Sequence, residues 1–176
     1  MAGFAARLTD SIRARNSVLC AGIDPHMDRI PSLFQQKDKA SAVRDWAFEL
    51  IPLLAGSAPV IKPQAATFEQ LGVRGMQILA DLSQAAMAEG LMVIMDAKRG
   101  DIGSTAEHYA KEAFERYQAD AITVSPYMGF DSMQPYLAHA DKGVIVLCRT
   151  SNAGGSDVQF LETDGRPVYQ VVAERA

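Results

Sequence analysis

The segment LMVIMDAKRGDIG, residues 91–103, joins a short apolar run directly to a cluster of charged side chains. Its first part, Leu91–Asp96, is apolar up to the aspartate, which is typical of a strand that is buried on both faces. Strands of that kind occur in parallel sheets, because helices cover both sides of such a sheet. We therefore predict a buried parallel strand that ends in charged residues.

Four further apolar runs of similar length occur along the chain. They are predicted as the strands Val18–Ile23, Pro59–Lys62, Ala121–Ser125 and Val144–Cys148. The segments between strands have helical periodicity, most clearly Thr105–Tyr117, where apolar side chains recur every three or four residues. Ser104 and Glu107 have the spacing of a capping box at the start of that helix. The chain thus alternates strands with helices.

This alternation predicts a parallel sheet, since a tight turn cannot join two parallel strands. Two architectures fit it, a doubly wound sheet and a (β/α)8 barrel. No predicted strand is followed by a glycine-rich dinucleotide turn or by a lysine-bearing phosphate loop, which are the motifs of the doubly wound class. The sequence therefore favours an α/β fold of the (β/α)8 TIM-barrel type. Residues 1–176 are expected to form a single partial barrel domain with about five of the eight strand–helix units.

Polar side chains stand at the carboxyl ends of the predicted strands, where barrels of this type carry their functional residues. They are Asp24, Lys62, Asp96, Ser125 and Arg149–Ser151. At the third strand, the alternation of side chains predicts that Asp96 and Lys98 point to the same side. A solvated ion pair without function is the alternative for any single one of these groups. Opposite charges held together in a cleft keep the lysine charged and lower the pKa of the acid, which is typical of active sites.

Composition disfavours several other classes of function. The 176 residues carry a net charge of −4, so we expect no binding to nucleic acid or to an anionic membrane. No segment reaches the roughly 20 apolar residues of a membrane span, and the first residues lack the apolar core of a secretory signal. Cys20 and Cys148 are predicted to be buried thiols of a cytoplasmic protein. We expect no metal, because no ligand spacing relates His26, His108 and His139.

Several separated motifs together resemble the orotidine 5′-phosphate decarboxylase family, specifically its bacterial second subgroup. The central motif is Asp-Ala-Lys-Arg-Gly-Asp-Ile-Gly, residues 96–103, and Val-Ile-Lys-Pro-Gln-Ala-Ala precedes it at residues 60–66. Three further segments agree with the family, namely Gly22–Pro25, Thr123–Tyr127 and Cys148–Asn152. The similarity runs from Gly3 to about Ala176, and the motifs occur in the family's order.

The resemblance implies a role for each site residue. The catalytic tetrad would consist of Lys62, Asp96, Lys98 and Asp101. Asp101, accompanied by Thr105, would reach across the interface of a homodimer into the partner's site. Asp24 would hydrogen-bond the ribose hydroxyls beside Lys62, and Ser151 would contact the pyrimidine ring. The structural alternatives are a turn residue for Asp24 and loop or helix-start hydroxyls for the other two.

The implied activity is that of a carboxy-lyase of pyrimidine biosynthesis, which converts orotidine 5′-phosphate to uridine 5′-phosphate and carbon dioxide. Loss of carbon dioxide from C6 leaves a carbanion with no electron sink, and a fixed ammonium group can stabilise it. Lys98 would stabilise this charge and donate the proton to C6, while Asp96 would hold Lys98 in place. The family resemblance implies neither a metal nor a cofactor.

The length of the chain departs from the family. Barrels of this type have roughly 250 residues, and the smallest have about 200. We therefore expect a C-terminally truncated chain that lacks the family's phosphate-binding loop and is inactive alone, with a loop at Ser151–Gly165 and an outer helix in Arg166–Ala176. Two alternatives remain open. One is a non-catalytic fragment or interaction subunit, and the other is a magnesium-dependent sugar-phosphate decarboxylase or aldolase, which a lysine at position 62 disfavours.

Overall fold

The computed structural model describes residues 2–176, and a sheet of five parallel strands forms its centre. The strands are β1 Cys20–Ile23, β2 Val60–Pro63, β3 Met92–Arg99, β4 Ala121–Val124 and β5 Gly143–Val146. They lie side by side in the order β1-β2-β3-β4-β5. A doubly wound sheet reverses its strand order at a switch point, whereas the wall of a barrel adds each strand beside the previous one. The order therefore confirms the predicted α/β architecture of barrel type.

All five predicted strands form, but their ends differ from the prediction. β3 continues three residues past the expected end to Arg99. β1 begins only at Cys20, because Val18 and Leu19 lie outside the sheet with 83% and 47% of their surface exposed. The apolar runs thus located the strands correctly, while the tertiary contacts set their ends.

Helices separate the strands. They are α1 Phe4–Arg15, α2 Lys39–Ala55, α3 Ala65–Glu69, α4 Gly72–Ala88, α5 Gly103–Lys111, α6 Gln134–Leu137, α7 Ser156–Gln159 and α8 Val168–Arg175. The predicted helix Thr105–Tyr117 corresponds to α5 and a turn of π-helix, Glu112–Arg116, that continues it. The predicted capping box at Ser104 is wrong. Helix α5 begins at Gly103, which has a φ of 53°, so Ser104 already lies inside the first turn. No side chain caps the start of the helix.

The segment after β5 is more regular than predicted. The expected irregular loop Ser151–Gly165 contains a short 3-10 helix and α7, and it ends in a small antiparallel hairpin. The hairpin pairs β6, Glu162–Thr163, with β7, Arg166–Pro167. Asp164 and Gly165 form its turn with φ values of 53° and 73°, as a two-residue hairpin turn requires. The outer helix expected in Arg166–Ala176 is present as α8.

The two faces of the central sheet pack differently. The outer face carries the large buried aliphatic side chains that contact the helices, among them Ile23, Ile61, Val93, Met95 and Ile122. The inner face carries a smaller buried cluster, Val60, Met92, Ile94 and Ala121, against which Phe4 and Leu8 of α1 pack. Lys62 and Asp96 follow Val60 and Ile94 by two residues, so both belong to the inner face at the carboxyl end of the sheet.

Helix α1 lies against the amino end of the sheet. Arg7 forms an ion pair with the buried Asp120 and donates a hydrogen bond of 3.0 Å to the carbonyl of Asp141. Ser11 donates a hydrogen bond of 3.1 Å to the carbonyl of Pro59. These contacts fix α1 to the connections that precede β2, β4 and β5, and they leave the carboxyl end of the sheet free of the helix.

Two further expectations concern the cysteines and the membrane. The prediction of buried thiols is wrong, since Cys20 is exposed and Cys148 is only half-buried. Cys20 begins β1, an edge strand that pairs only with β2 in the described part of the chain, and its partner in the register is Val60 of the inner-face cluster. Within residues 2–176, no helix combines the length and the apolar character needed to cross a membrane.

Candidate active site

The carboxylate of Asp96 is the centre of the charged cluster at the end of β3. Its residue is only 6% exposed, and each carboxylate oxygen accepts two hydrogen bonds. Oδ1 accepts from Lys98 Nζ at 2.6 Å and from Thr123 Oγ1 at 3.0 Å. Oδ2 accepts from Lys62 Nζ at 2.8 Å and from Gln64 Nε2 at 3.3 Å. These four bonds use the acceptor capacity of the carboxylate.

Three neighbouring strands bring these side chains together. Lys62 belongs to β2, and the isolated bridge between Gln64 and Asp96 extends the pairing of β2 with β3. Thr123 belongs to β4, on the other side of β3. Since the strands are parallel, their carboxyl ends meet at one edge of the sheet, and residues far apart in the sequence become neighbours there.

Lys98 and Asp96 contact each other as predicted, but not through regular strand alternation. Lys98 has a φ of 47°, in the left-handed region that a residue with a Cβ rarely adopts. The pairing of β3 with β4 shifts in register between Met95 and Arg99, which is the mark of a β-bulge. The bulge turns the Lys98 side chain back over the Asp96 carboxylate, and 48% of that lysine side chain remains exposed at the mouth of the sheet.

The charges of the cluster shift one another's titration. Burial alone raises the pKa of Asp96, but the hydrogen bonds from Lys62 and Lys98, the charge of Lys62 and the bond from Thr123 outweigh it, so the pKa lies below the ordinary value. Burial lowers the pKa of Lys62, but the hydrogen bond and charge of Asp96, with smaller effects of Asp24 and Cys20, raise it above its ordinary value. Asp96 and Lys62 therefore stay ionised across the neutral range.

Asp101 and Thr105 lie apart from this cluster. Asp101 is half-buried at the start of the loop to α5, and its carboxylate accepts a hydrogen bond of 2.8 Å from the amide of Ile102. In residues 2–176 no ion pair joins Asp101 to Lys62 or Lys98. Thr105 is exposed on α5. Their contribution to a partner's site stays a prediction.

Asp24 and Ser151 lie beside the cluster without bonding to it. Asp24 is exposed just after β1, and its charge acts on Lys62. Ser151 is exposed in the loop after β5, and we find no hydrogen bond from it to Asp96 or the lysines in the described residues. Both positions are at the carboxyl end of the sheet, and their contacts with a substrate stay a prediction.

Two residues of the cluster, Thr123 and Gln64, were not identified from the sequence. Thr123 is buried, and its hydroxyl contacts Asp96 and the two amides that follow Asp96 in the chain. Gln64 donates to Asp96 from the position two residues after Lys62. A signal did exist for Thr123, because it is the one hydroxyl residue in an otherwise apolar strand, Ala121–Val124, next to β3.

The donor set of the cluster does not suit a divalent cation. A hard cation such as Mg²⁺ prefers carboxylate and other oxygen ligands, whereas two of the four groups around Asp96 are ammonium groups. Both oxygens of that carboxylate are already occupied by donors. Across the described residues, no group of three or more histidine, cysteine, aspartate or glutamate side chains is arranged to hold a metal ion.

Comparisons with known proteins identify the family of the chain. Residues 17–176 match the model of the family described as "Orotidine 5′-phosphate decarboxylase / HUMPS family". An orotidine 5′-phosphate decarboxylase of Ralstonia pickettii is 59% identical over 175 residues, which cover 98% of this chain and 63% of that relative. The chain therefore spans less than two thirds of the length of this curated relative.

Solved structures give the same result. The structure of Leishmania donovani OMP decarboxylase matches with a TM-score of 0.86 at 42% identity, over 99% of this chain and 65% of that one. The structure of Leishmania donovani UMP synthase matches with a TM-score of 0.88 at 41% identity, over 100% of this chain and 37% of that one. The five-stranded sheet and its helices are thus similar to the matched parts of these two structures.

Proposed function

Since this chain belongs to the orotidine 5′-phosphate decarboxylase / HUMPS family, we propose that its Asp96 cluster is the catalytic centre of an orotidine 5′-phosphate decarboxylase. One observation carries the proposal. The ammonium group of Lys98 lies 2.6 Å from a buried carboxylate at the mouth of the sheet, on a backbone turned by a bulge, where a substrate can reach it. A fixed positive charge at this position suits a reaction that develops localised negative charge.

The reaction would proceed by direct loss of carbon dioxide. The bond between C6 and the carboxylate carbon breaks, the electron pair remains on C6, and carbon dioxide leaves. Lys98 stabilises the developing carbanion and then transfers a proton from Nζ to C6. This gives uridine 5′-phosphate and a neutral amine, which regains its proton from solvent. Asp96 holds the ammonium group in place until that transfer, since its lowered pKa keeps it ionised.

The remaining site residues would bind and orient the substrate. Lys62 and Asp24 would bind the ribose hydroxyls together. This role is supported by the bond of Lys62 to Asp96 and by the effect of the Asp24 charge on Lys62. Ser151 would contact the pyrimidine ring from the loop after β5. Asp101 and Thr105 would complete the site of a partner chain in a homodimer. A location in the cytoplasm is part of the same proposal.

The magnesium-dependent alternative is less well supported. A sugar-phosphate decarboxylase or aldolase of that kind needs free carboxylate oxygens for the metal. Here both oxygens of Asp96 are engaged by Lys62, Lys98 and neighbouring polar groups. Turnover that persists unchanged in excess chelator would support the metal-free reaction.

The experiment that tests the proposal is Lys98→Ala. It is made in this chain and in a hybrid, in which residues 2–176 replace the matching segment of the Ralstonia pickettii relative, because the chain spans 63% of that relative. We expect the unsubstituted hybrid to decarboxylate orotidine 5′-phosphate and the variant to lose turnover about 1000-fold or more. The variant should still bind uridine 5′-phosphate, which isothermal titration calorimetry would measure.

A matched control is Lys111→Ala, which removes an exposed lysine of α5 outside the cluster. This control should leave turnover unchanged. Lys98→Ala with turnover within a few-fold of the unsubstituted protein would contradict the role of Lys98. A folded hybrid that binds the product but does not decarboxylate the substrate would contradict the proposed function itself and favour a non-catalytic chain.

A further inference from the structure

The backbone at Lys98 is held in a conformation that it would not choose alone. Lys98 has a φ of 47°, and the left-handed conformation is less favourable than the right-handed one for a residue with a Cβ. The bulge that contains Lys98 also interrupts the pairing of β3 with β4, so the amides of Ala97 and Lys98 lack regular strand partners. Something outside β3 must therefore stabilise this turn.

The hydroxyl of Thr123 supplies these contacts. Its Oγ1 accepts hydrogen bonds from the amide of Ala97 at 3.1 Å and from the amide of Lys98 at 2.9 Å. The same oxygen donates to Asp96 Oδ1 at 3.0 Å. A hydroxyl has one donor and two acceptor positions, so all three are used. Thr123 is 6% exposed, and water cannot readily replace it.

We propose that Thr123 is a positioning residue, which fixes the Lys98 backbone and the Asp96 carboxylate relative to each other through one hydroxyl group. It sets the direction from which Lys98 Nζ approaches the reacting carbon. This inference rests on the proposed function, because the direction matters only if Lys98 delivers a proton. Thr123 itself lies below the mouth of the sheet and would not touch the substrate.

A threonine suits this role better than other polar residues. It is β-branched, so its χ1 angle is restricted in a strand and the hydroxyl direction is well defined. Thr123 is buried in the middle of β4, so the volume of its side chain, including the methyl group, also contributes to packing. Valine has nearly the same shape without the hydroxyl, and serine keeps the hydroxyl without the methyl group. The two substitutions therefore separate hydrogen bonding from packing.

The test compares Thr123→Val and Thr123→Ser in the protein in which turnover is measured. We expect Thr123→Val to lower kcat about 10- to 100-fold, because a displacement of the proton donor by a fraction of an ångström weakens the near-attack geometry. KM should change less than about twofold, since the substrate contacts are elsewhere. Thr123→Ser should restore kcat to within about threefold of the unsubstituted protein.

The pH profile of kcat distinguishes the two roles of Thr123. A residue that contributes only to packing should not shift this profile when it is substituted. The hydrogen bond from Thr123 is one of the causes that lower the pKa of Asp96. Its loss in Thr123→Val should shift the acid limb of the kcat profile to higher pH, and Thr123→Ser should not. As a control, Ser83→Ala removes a fully buried hydroxyl that donates to the Leu79 carbonyl in α4, and it should move neither kcat nor the acid limb.

The outcomes separate the two proposals. Equal kcat values in Thr123→Val, Thr123→Ser and the unsubstituted protein would overturn the role of Thr123 and leave the proposed function intact. Equal losses in both variants would also overturn it, because serine retains the hydroxyl. Should Thr123→Val fail to fold, Thr123→Ala and Thr123→Ser make the same comparison. A folded unsubstituted protein without turnover would instead contradict the proposed function, and the Asp96 pKa, followed by carboxyl NMR, would still test the Thr123 contact.

Discussion

Two aspartates at opposite ends of the sheet are equally buried and differently bonded. Asp96 at the carboxyl end and Asp120 at the amino end are each 6% exposed. Asp120 forms an ion pair with Arg7 of α1 and accepts a hydrogen bond of 2.9 Å from the amide of Val93. Asp96 instead accepts from two lysines and two neutral side chains. Two aspartates that are equally buried thus have different hydrogen-bond and ion-pair partners.

The partners decide what each carboxylate can do. Arginine stays protonated at any pH that a protein meets, so the pair with Arg7 can join α1 to the sheet but cannot transfer a proton. A lysine ammonium group can act as a general acid toward a bound substrate, and Lys98 is half-exposed on a left-handed backbone. The amino end therefore has the features of a structural ion pair, and the carboxyl end has those of a reactive site. This agrees with the general division of labour between the two ends of such barrels.

The matched variants Asp96→Asn and Asp120→Asn test most directly whether the two aspartates have different roles. Asp96→Asn should lower kcat about 100-fold or more, because the amide cannot hold two ammonium groups. Asp120→Asn should leave kcat within about twofold and lower the free energy of unfolding by about 2 kcal/mol. That value is smaller than for a fully buried pair, since the Arg7 side chain is 33% exposed. Urea unfolding and steady-state turnover measure the two effects.

Arg7→Lys serves as the control for Asp120→Asn. It keeps the positive charge beside Asp120 but removes the planar guanidinium group. It should destabilise the protein less than Asp120→Asn does. A loss of turnover in Asp120→Asn without a loss of stability would contradict the division between the two ends. So would a folded Asp96→Asn variant with undiminished turnover.

The sequence predicted the two aspartates unequally well. Asp96 and Lys98 stand in one short motif after an apolar run, and that local pattern was sufficient to identify them. The pair of Arg7 with Asp120 joins residues 113 positions apart, and neither residue lies in a pattern that indicates the other. Thr123 was missed for the same reason, because its contact with Asp96 crosses from one strand to the next.

In the fold as well, local patterns were predicted and contacts between distant residues were not. Continuous apolar runs identified all five strands, because strands buried on both faces have a distinct composition. The bulge at Lys98 was not predictable, since it depends on a hydroxyl supplied by β4. The hairpin after α7 was missed because its strands have two residues each, too few for alternation to be visible. Only its Asp164-Gly165 turn is a recognisable signal.

A second prediction concerns the residue that the structure places outside the cluster. Asp101 makes no ion pair with either lysine in the described chain, and the proposal assigns it to a partner's site. Asp96→Ala and Asp101→Ala should each be inactive alone. Mixed after unfolding and refolding together, they should recover up to about a quarter of the native activity, because half of the dimers are then mixed and one of their two sites has neither substitution.

Mixing each variant with the unsubstituted protein controls for losses during refolding. No recovery in the mixture of variants, despite the exchange of chains, would contradict a shared site and require Asp101 to act within its own chain. Activity of Asp101→Ala alone would remove that residue from the site altogether. In that second case the proposed site would consist of Asp96, Lys62 and Lys98 without Asp101.

The smallest expected effect is the pH dependence of stability that the pair of Lys62 with Asp96 contributes. The pKa of Asp96 is lowered in the folded chain, so its contribution is present above the ordinary value of 3.8 and is lost as the pH falls through the folded pKa. The pKa of Lys62 is raised, so its contribution is present below the ordinary value of 10.5 and is lost as the pH rises through the folded pKa.

A double variant, Lys62→Met with Asp96→Asn, tests this dependence against the unsubstituted protein. The difference in the free energy of unfolding between the two should be constant near neutrality. It should change as the pH falls below 3.8 and as it rises above 10.5, in each case toward a relative loss of stability of the unsubstituted protein, which urea unfolding across the pH range would measure. Its value at neutral pH is not diagnostic, because a buried ion pair can be replaced at little cost in stability. A difference that stays constant from below pH 3.8 to above pH 10.5 would contradict both pKa shifts. It would also mean that the pKa of Asp96 is the same in the folded chain as in water. Burial and hydrogen bonding of Asp96 would then not distinguish the proposed active end of the sheet from the other end.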